Sequence, residues 1–169
     1  MPESEQLGHS QGLFLQKDEV IPAFILPGAD GMPHGPWDYK QREHLILLFL
    51  HTSENSEIRG VLRTFAQHYA DFREEQCAIL AITPDTVLTN LRTQDALHLP
   101  FALLADPKGE VIARYTAWNG TTRSLTPSIV LANRYNALHE QWQAEQEAHL
   151  PTISGLLASL QYLNSICTP

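Results

Sequence analysis

Six consecutive apolar residues, Leu45-Ile46-Leu47-Leu48-Phe49-Leu50, stand out from an otherwise mixed chain. A run without alternation predicts a strand buried on both faces of a sheet. A polar turn follows, and then Ile58, Leu62, Phe65, Tyr69 and Phe72 recur at alternating steps of four and three. That spacing lays one apolar helical stripe against a sheet. Residues 78–82 repeat the continuous apolar pattern and close on Thr83-Pro84-Asp85, so they predict a second buried strand. Residues 86–97 predict another helix, with a weaker stripe through Leu88 and Leu91. A short strand is expected over 101–104, running into Asp106-Pro107-Lys108-Gly109, whose residue types favour a turn. Residues 128–132 and 137–142 predict a hairpin across 133–136, where Asn136 can accept a positive φ. Ile153, Leu156, Leu157, Leu160, Leu163 and Cys167 mark the inner face of a C-terminal helix.

The N-terminal part is less regular. Residues 1–19 are polar and predict a flexible arm, with Leu13-Phe14-Leu15 as the stretch that can pin it to the body. Residues 20–26 read as a short strand in which Pro22 demands an edge or a strand start. Residues 28–37 contain three Gly and two Pro, the composition of a loop or an irregular hairpin. Strands and helices alternate first and a hairpin comes last. This order predicts an α/β domain over 20–169, a mixed central sheet with helices on both faces.

Composition narrows the function classes. At 169 residues, 43% hydrophobic and 18% charged, the chain fits one domain with a sizeable core. A formal charge of −8 without any Lys or Arg cluster excludes nucleic acid and anionic membrane, whose binding rests on a basic footprint. The apolar run 45–50 falls far short of the roughly 20 residues that cross a bilayer. The start Met-Pro-Glu-Ser-Glu-Gln has neither the basic residues nor the apolar stretch of a signal peptide, so a cytoplasmic location is expected. The two cysteines, Cys77 and Cys167, share no motif, and no His-x-x-x-His or Cys–His spacing suits a metal. No disulfide, metal or cofactor is expected.

Taken in order, these landmarks resemble the thioredoxin-like superfamily. More narrowly they resemble the alkyl hydroperoxide reductase and thiol-specific antioxidant family of redoxins and peroxiredoxins. The strand and turn at 45–58 are similar to its active-site segment, and Ile79-Leu80-Ala81-Ile82-Thr83-Pro84-Asp85 to the strand that ends in Thr-x-Asp. Phe101-Ala102-Leu103-Leu104-Ala105-Asp106-Pro107 resembles its Phe-x-Leu-Leu-x-Asp-Pro element. Thr126-Pro127-Ser128, followed by Asn133-Arg134-Tyr135-Asn136, resembles Thr-Pro-x with a downstream turn. The resemblance implies a thioredoxin-like fold and places the family's reactive positions. The first Cys of a Cys-x-x-Cys pair falls on Asn55, and the second, also the peroxidatic position, on Ile58. The peroxiredoxin threonine falls on Asn55 too, the usual proline on His51, and the family arginine near Pro127, with Arg123 a few residues upstream. Pro127 matches a proline that in this fold is cis and faces the site turn, with backbone before it that pairs with an extended peptide.

Thiol chemistry needs a thiolate at the helix start, where backbone N–H groups and the helix dipole lower its pKa. Isoleucine has no lone pair and a carboxamide is no nucleophile. Glu54 and Glu57 favour a helix start there and oppose a thiolate, while Asn55 or Ser53 can cap the helix. The turn reads as a helix start and not as a redox centre. Cys77, where a buried strand begins, reads as an inert core thiol, and Cys167 as an apolar end-cap. The expected function is a redox-inactive binding or assembly module with a protein partner. Its expected site is a groove formed by His51, Asn55, Ile58, Thr126 and Pro127. The alternative is a thiol-dependent antioxidant oxidoreductase that uses Cys77 or Cys167, and a distant third is a small-molecule site near His51.

Overall fold

The computed structural model describes residues 15–166. Its centre is a five-stranded mixed sheet. Strand β3 (His44–Phe49) runs parallel to β4 (Cys77–Thr83), which runs parallel to β5 (Ala102–Ala105). On the other side of β3 lies β8 (Ser128–Ala132), antiparallel, and beyond it β9 (Leu138–Gln143), antiparallel again. Every residue of β3, β4, β5 and β8 is buried, as their unbroken apolar runs require. The hairpin turns at Asn136, which takes φ 61°, and Asn133 Oδ1 accepts from the N–H groups of Tyr135 and Ala137.

Alternation along β3 divides the core. Ile46, Leu48 and Leu50 face a layer built by helix α1 (Ser56–Gln67), helix α2 (Tyr69–Glu74) and the C-terminal helix α5 (Ile153–Ile166). Helix α5 buries Leu156, Leu160 and Leu163 there. Each leucine contributes at most about 1.5–3 kcal/mol by area removed from water. Leu45, Leu47 and Phe49 face the other way, onto Ile21 and Phe24 of the extended N-terminal segment and onto the single-turn helix α4 (Ile112–Tyr115). Both faces are covered, the first by long helices and the second by one helical turn and irregular chain.

Several expectations change. Residues 20–26 are not a strand: Val20 makes one bridge to Ala137, and only β1 (Leu26–Pro27) pairs, with β2 (Pro33–His34). Pro22 cannot donate to a ladder, and its carbonyl oxygen instead accepts from the Tyr115 hydroxyl. The helix expected through 58–72 divides at His68 into α1 and α2. The Thr64 hydroxyl donates to the Gly60 carbonyl at 2.9 Å, a back-bond that bends helices, and Phe65 and Phe72 still stack across the break at 5.8 Å. Helix α3 (Val87–Leu97) exists, but Leu88 is 56% exposed and Leu91 37%; its buried residues are Asn90 and Thr93. A short ribbon, β6 (Trp118–Asn119) with β7 (Ser124–Leu125), had no signal in the hydrophobic pattern.

The sheet edges are shielded. The Leu103 N–H of β5 donates to Gln94 Oε1, and the Leu103 carbonyl accepts from Ala29 N, which leaves less open edge for a foreign strand. At the far side, Asp18 N donates to the Leu138 carbonyl and Leu138 N to Glu19. The described end of the expected arm is therefore tied to β9, and Leu15 packs on the second core; Leu13 and Phe14 lie outside the described residues.

Candidate functional site

The turn after β3 is built as a helix start. Asn55 is the N-cap of α1, with φ −72° and ψ 135°, and its Oδ1 accepts from Glu57 N at 2.7 Å. Of the two cap candidates, Asn55 takes the role. Ser53 is fully buried and does something else.

Ser53 is the centre of a polar network that the hydrophobic pattern did not reveal. Its N–H donates to Asp85 Oδ2 at 2.7 Å, and its hydroxyl to Asn90 Oδ1 at 3.2 Å. The Thr83 hydroxyl donates to the same Asn90 oxygen at 2.8 Å. The Thr93 hydroxyl lies 3.0 Å from Ser53 Oγ, and Arg59 Nε donates to the Ser53 carbonyl at 3.1 Å. Buried hydroxyls and amides cost free energy unless paired, so these bonds fix the turn to the end of β4 and to α3. The available signal was Asn90 and Thr93 three residues apart inside a helix with a weak apolar stripe. That pattern reflects a polar inner face.

The five groove residues are only partly brought together. Asn55 is exposed, His51 and Thr126 are half-buried, and Pro127 is buried. Ile58 is 2% exposed and packs in the first core, so it lines no groove. His51 Nδ1 lies 2.6 Å from Glu147 Oε1, and the same oxygen accepts from the His51 backbone N–H. The hydrogen bond to Glu147 holds the His51 pKa above its ordinary value, against the opposing effect of burial, and the Leu125 backbone adds to the rise. Burial pushes Glu147 upward, but the His51 bonds outweigh it and the carboxyl sits below its usual range. Glu147 belongs to a 3₁₀ turn, Glu147–His149, for which the sequence carried no periodic signal.

The backbone expected to dock a peptide is already engaged. Thr126 N donates to the Ala117 carbonyl, and its carbonyl accepts from the Thr116 hydroxyl at 2.7 Å. Pro127 has no N–H, its carbonyl accepts from Ala144 N, and no peptide bond among the described residues is cis, against the expectation for Pro127. Arg123, at φ 56°, spends its guanidinium on the Pro84 and Pro107 carbonyls.

Cys77 opens β4 with no exposed surface, and burial pushes its thiol far above the ordinary range. Cys167 lies outside the described residues. Among the described residues no three His, Cys, Asp or Glu side chains are grouped to hold a metal ion, and no helix is long and apolar enough to cross a membrane.

Comparison with known proteins agrees with this architecture. Two Mycobacterium tuberculosis proteins, from strains CDC 1551 / Oshkosh and ATCC 25618 / H37Rv, are provisionally named as peroxiredoxins. Each is 33% identical to this chain over 104 residues, 62% of this chain. The match spans 64% of each relative's length, less than two thirds. Among solved structures, peroxidoxin BcpB from M. tuberculosis superposes with a TM-score of 0.77 at 16% identity, over 92% of this chain and 100% of its own. Enterococcus faecalis AhpC gives 0.81 at 12% identity, over 90% of this chain and 95% of its own. Both share the thioredoxin-like fold. The AhpC/TSA family model matches residues 18–149. With its mixed sheet and the strand–turn–helix at 44–67 in place, the chain belongs to the AhpC/TSA family.

Proposed function

We propose that this chain is a redox-inactive member of the AhpC/TSA family that works by binding another protein. The observation that carries the reading is Ile58, an apolar side chain sealed in the core at the position where the family resemblance puts the peroxidatic thiol. Cys77 supports it. A thiol with no exposed surface and an upward-shifted pKa neither meets a peroxide nor forms the thiolate that attacks one.

Binding has support of a different kind. Ile25 is 78% exposed, Met32 60% and Leu88 56%, with Val87 and Leu91 beside Leu88 on α3. Ile25, Met32 and Val87 line one open cleft together with Pro27 and Pro33. Contiguous apolar surface of this kind marks interaction sites. The face around Thr126 and Pro127 contributes less, because its backbone groups are already bonded within the chain. His51, Asn55 and Thr126 remain as its polar margin.

Two measurements test the reading. Intact-mass analysis after brief alkylation, and separately after peroxide, should leave Cys77 unmodified in the native protein. Rapid native modification of Cys77 contradicts it. Affinity purification from the source cell, run beside a Met32→Asp/Leu88→Asp variant, should lose a partner in the variant. An identical partner set for both proteins overturns the proposed surface.

A further inference from the structure

A different cleft lies at the end of the sheet opposite the turn at 51–55, where the chain enters β3, β4 and β5. Its volume is about 420 Å³, within the roughly 300–1,000 Å³ usual for small-molecule sites. Ile79, Leu99 and Phe101, all buried, supply its apolar lining. The Phe101 ring lies 6.0 Å from that of Tyr69 on α2, and Tyr39, ahead of β3, adds a third ring.

The charged side chains of the lining are already bonded to one another. His34 Nε2 lies 2.7 Å from Asp30 Oδ2, and Met32 N donates to the other oxygen of Asp30. Arg73 donates to both oxygens of Glu43, at 2.8 and 2.9 Å. No carboxylate or guanidinium of the lining is left over to recruit an ion. Burial, then Asp38 and the nearby Glu43 and Asp30, push the Tyr39 pKa up to about 12, so negative charge is opposed there as well. The lining groups without a partner among the described residues are neutral: the Tyr39 and Tyr69 hydroxyls and Gln94 Nε2. Gln94 Oε1 is taken by the Leu103 N–H. All three residues are half-buried. A phenol hydroxyl both donates and accepts, and a carboxamide nitrogen donates.

We propose that this cleft binds an uncharged, polyhydroxylated ring compound, a sugar, with the ring's apolar face on Tyr69 and Phe101 and its hydroxyls bonded to Tyr39, Tyr69 and Gln94. A sugar hydroxyl donates and accepts in one group, as the two phenols do, so the match needs no charge on either side. An apolar wall that carries the contact area and a few placed polar groups that fix orientation is how small-molecule sites divide the work. An ionic ligand meets the opposite situation, because it would have to break an existing pair or stay unpaired in a half-buried place.

The test is a proton–nitrogen NMR titration of the full chain with glucose, galactose, xylose and myo-inositol, beside glucosamine and glucose 6-phosphate as charged analogues. At least one neutral compound should shift the amide signals of Tyr69, Gln94 and Phe101 saturably, while those of 51–58 stay in place. Both charged analogues should bind more weakly than that compound. Tyr39→Phe and Tyr69→Phe keep the rings and remove only the hydroxyls, and each should weaken binding roughly two- to tenfold. The proposal is overturned if no neutral compound gives saturable shifts, or if the shifts map away from the cleft. Equal or tighter binding of a charged analogue overturns it too, as does unchanged affinity in both tyrosine variants. Should one variant fail to fold, the other and the charged analogues decide.

Discussion

Ile58 lies in the first turn of α1 and is 2% exposed. The strand–turn–helix around it was legible in the sequence, as was the absence of sulfur. Its burial was legible too, since Ile58 opens the apolar stripe of α1, and that burial is what removes it from the groove expected around His51 and Pro127. This gives a prediction. Ile58→Cys, with Cys77 and Cys167 changed to Ala, should carry a thiol with a pKa at or above the free value of about 8.5, since burial and the charges of Glu54 and Glu57 act in the same direction. Adding Glu54→Gln and Glu57→Gln should lower it, read from the pH dependence of alkylation. A single variant that titrates well below neutral pH refutes the electrostatic argument. His51 offers a second case. Its raised pKa means that the pairing with Glu147 is fully present below about pH 6.5 and fades as pH rises through the folded value. Glu147→Gln should bring the His51 pKa down, which ring-proton NMR reads directly.

At the scale of elements, apolar runs located β3, β4, β5 and β8 to within about a residue, because strands buried on both faces leave no ambiguity. Helix α3 shows where such reading stops. Leu88 and Leu91 suggested an inner face, but spacing cannot say which way a helix is turned when its inner face is polar. Ser53, Thr83, Asn90 and Thr93 supply that face, and Val87, Leu88 and Leu91 are left outward. Asn90→Ala should therefore destabilise the protein by about 1–3 kcal/mol, since two buried hydroxyls lose their acceptor. Leu88→Asp should change stability by no more than about 0.5 kcal/mol, as an exposed substitution does. Urea unfolding of the two variants checks both. The reverse ranking would return Leu88 to the core and remove the proposed binding surface.

For the whole molecule, the mixed sheet carries one apolar layer under α1, α2 and α5 and another under α4 and the N-terminal segment. Cys77 is a free thiol inside β4. The melting temperature should therefore be unchanged by reductant, and a fall of several degrees in a monomeric sample counts against this picture. The alternative function retained a thiol chemistry at Cys77 or Cys167, and it makes one demand that redox inactivity does not. The most direct test is peroxide consumption by the purified full chain with a small thiol donor, beside Cys77→Ala and Cys167→Ala. The account predicts no turnover above the donor alone for all three proteins. Turnover by the wild type that either substitution abolishes would contradict it.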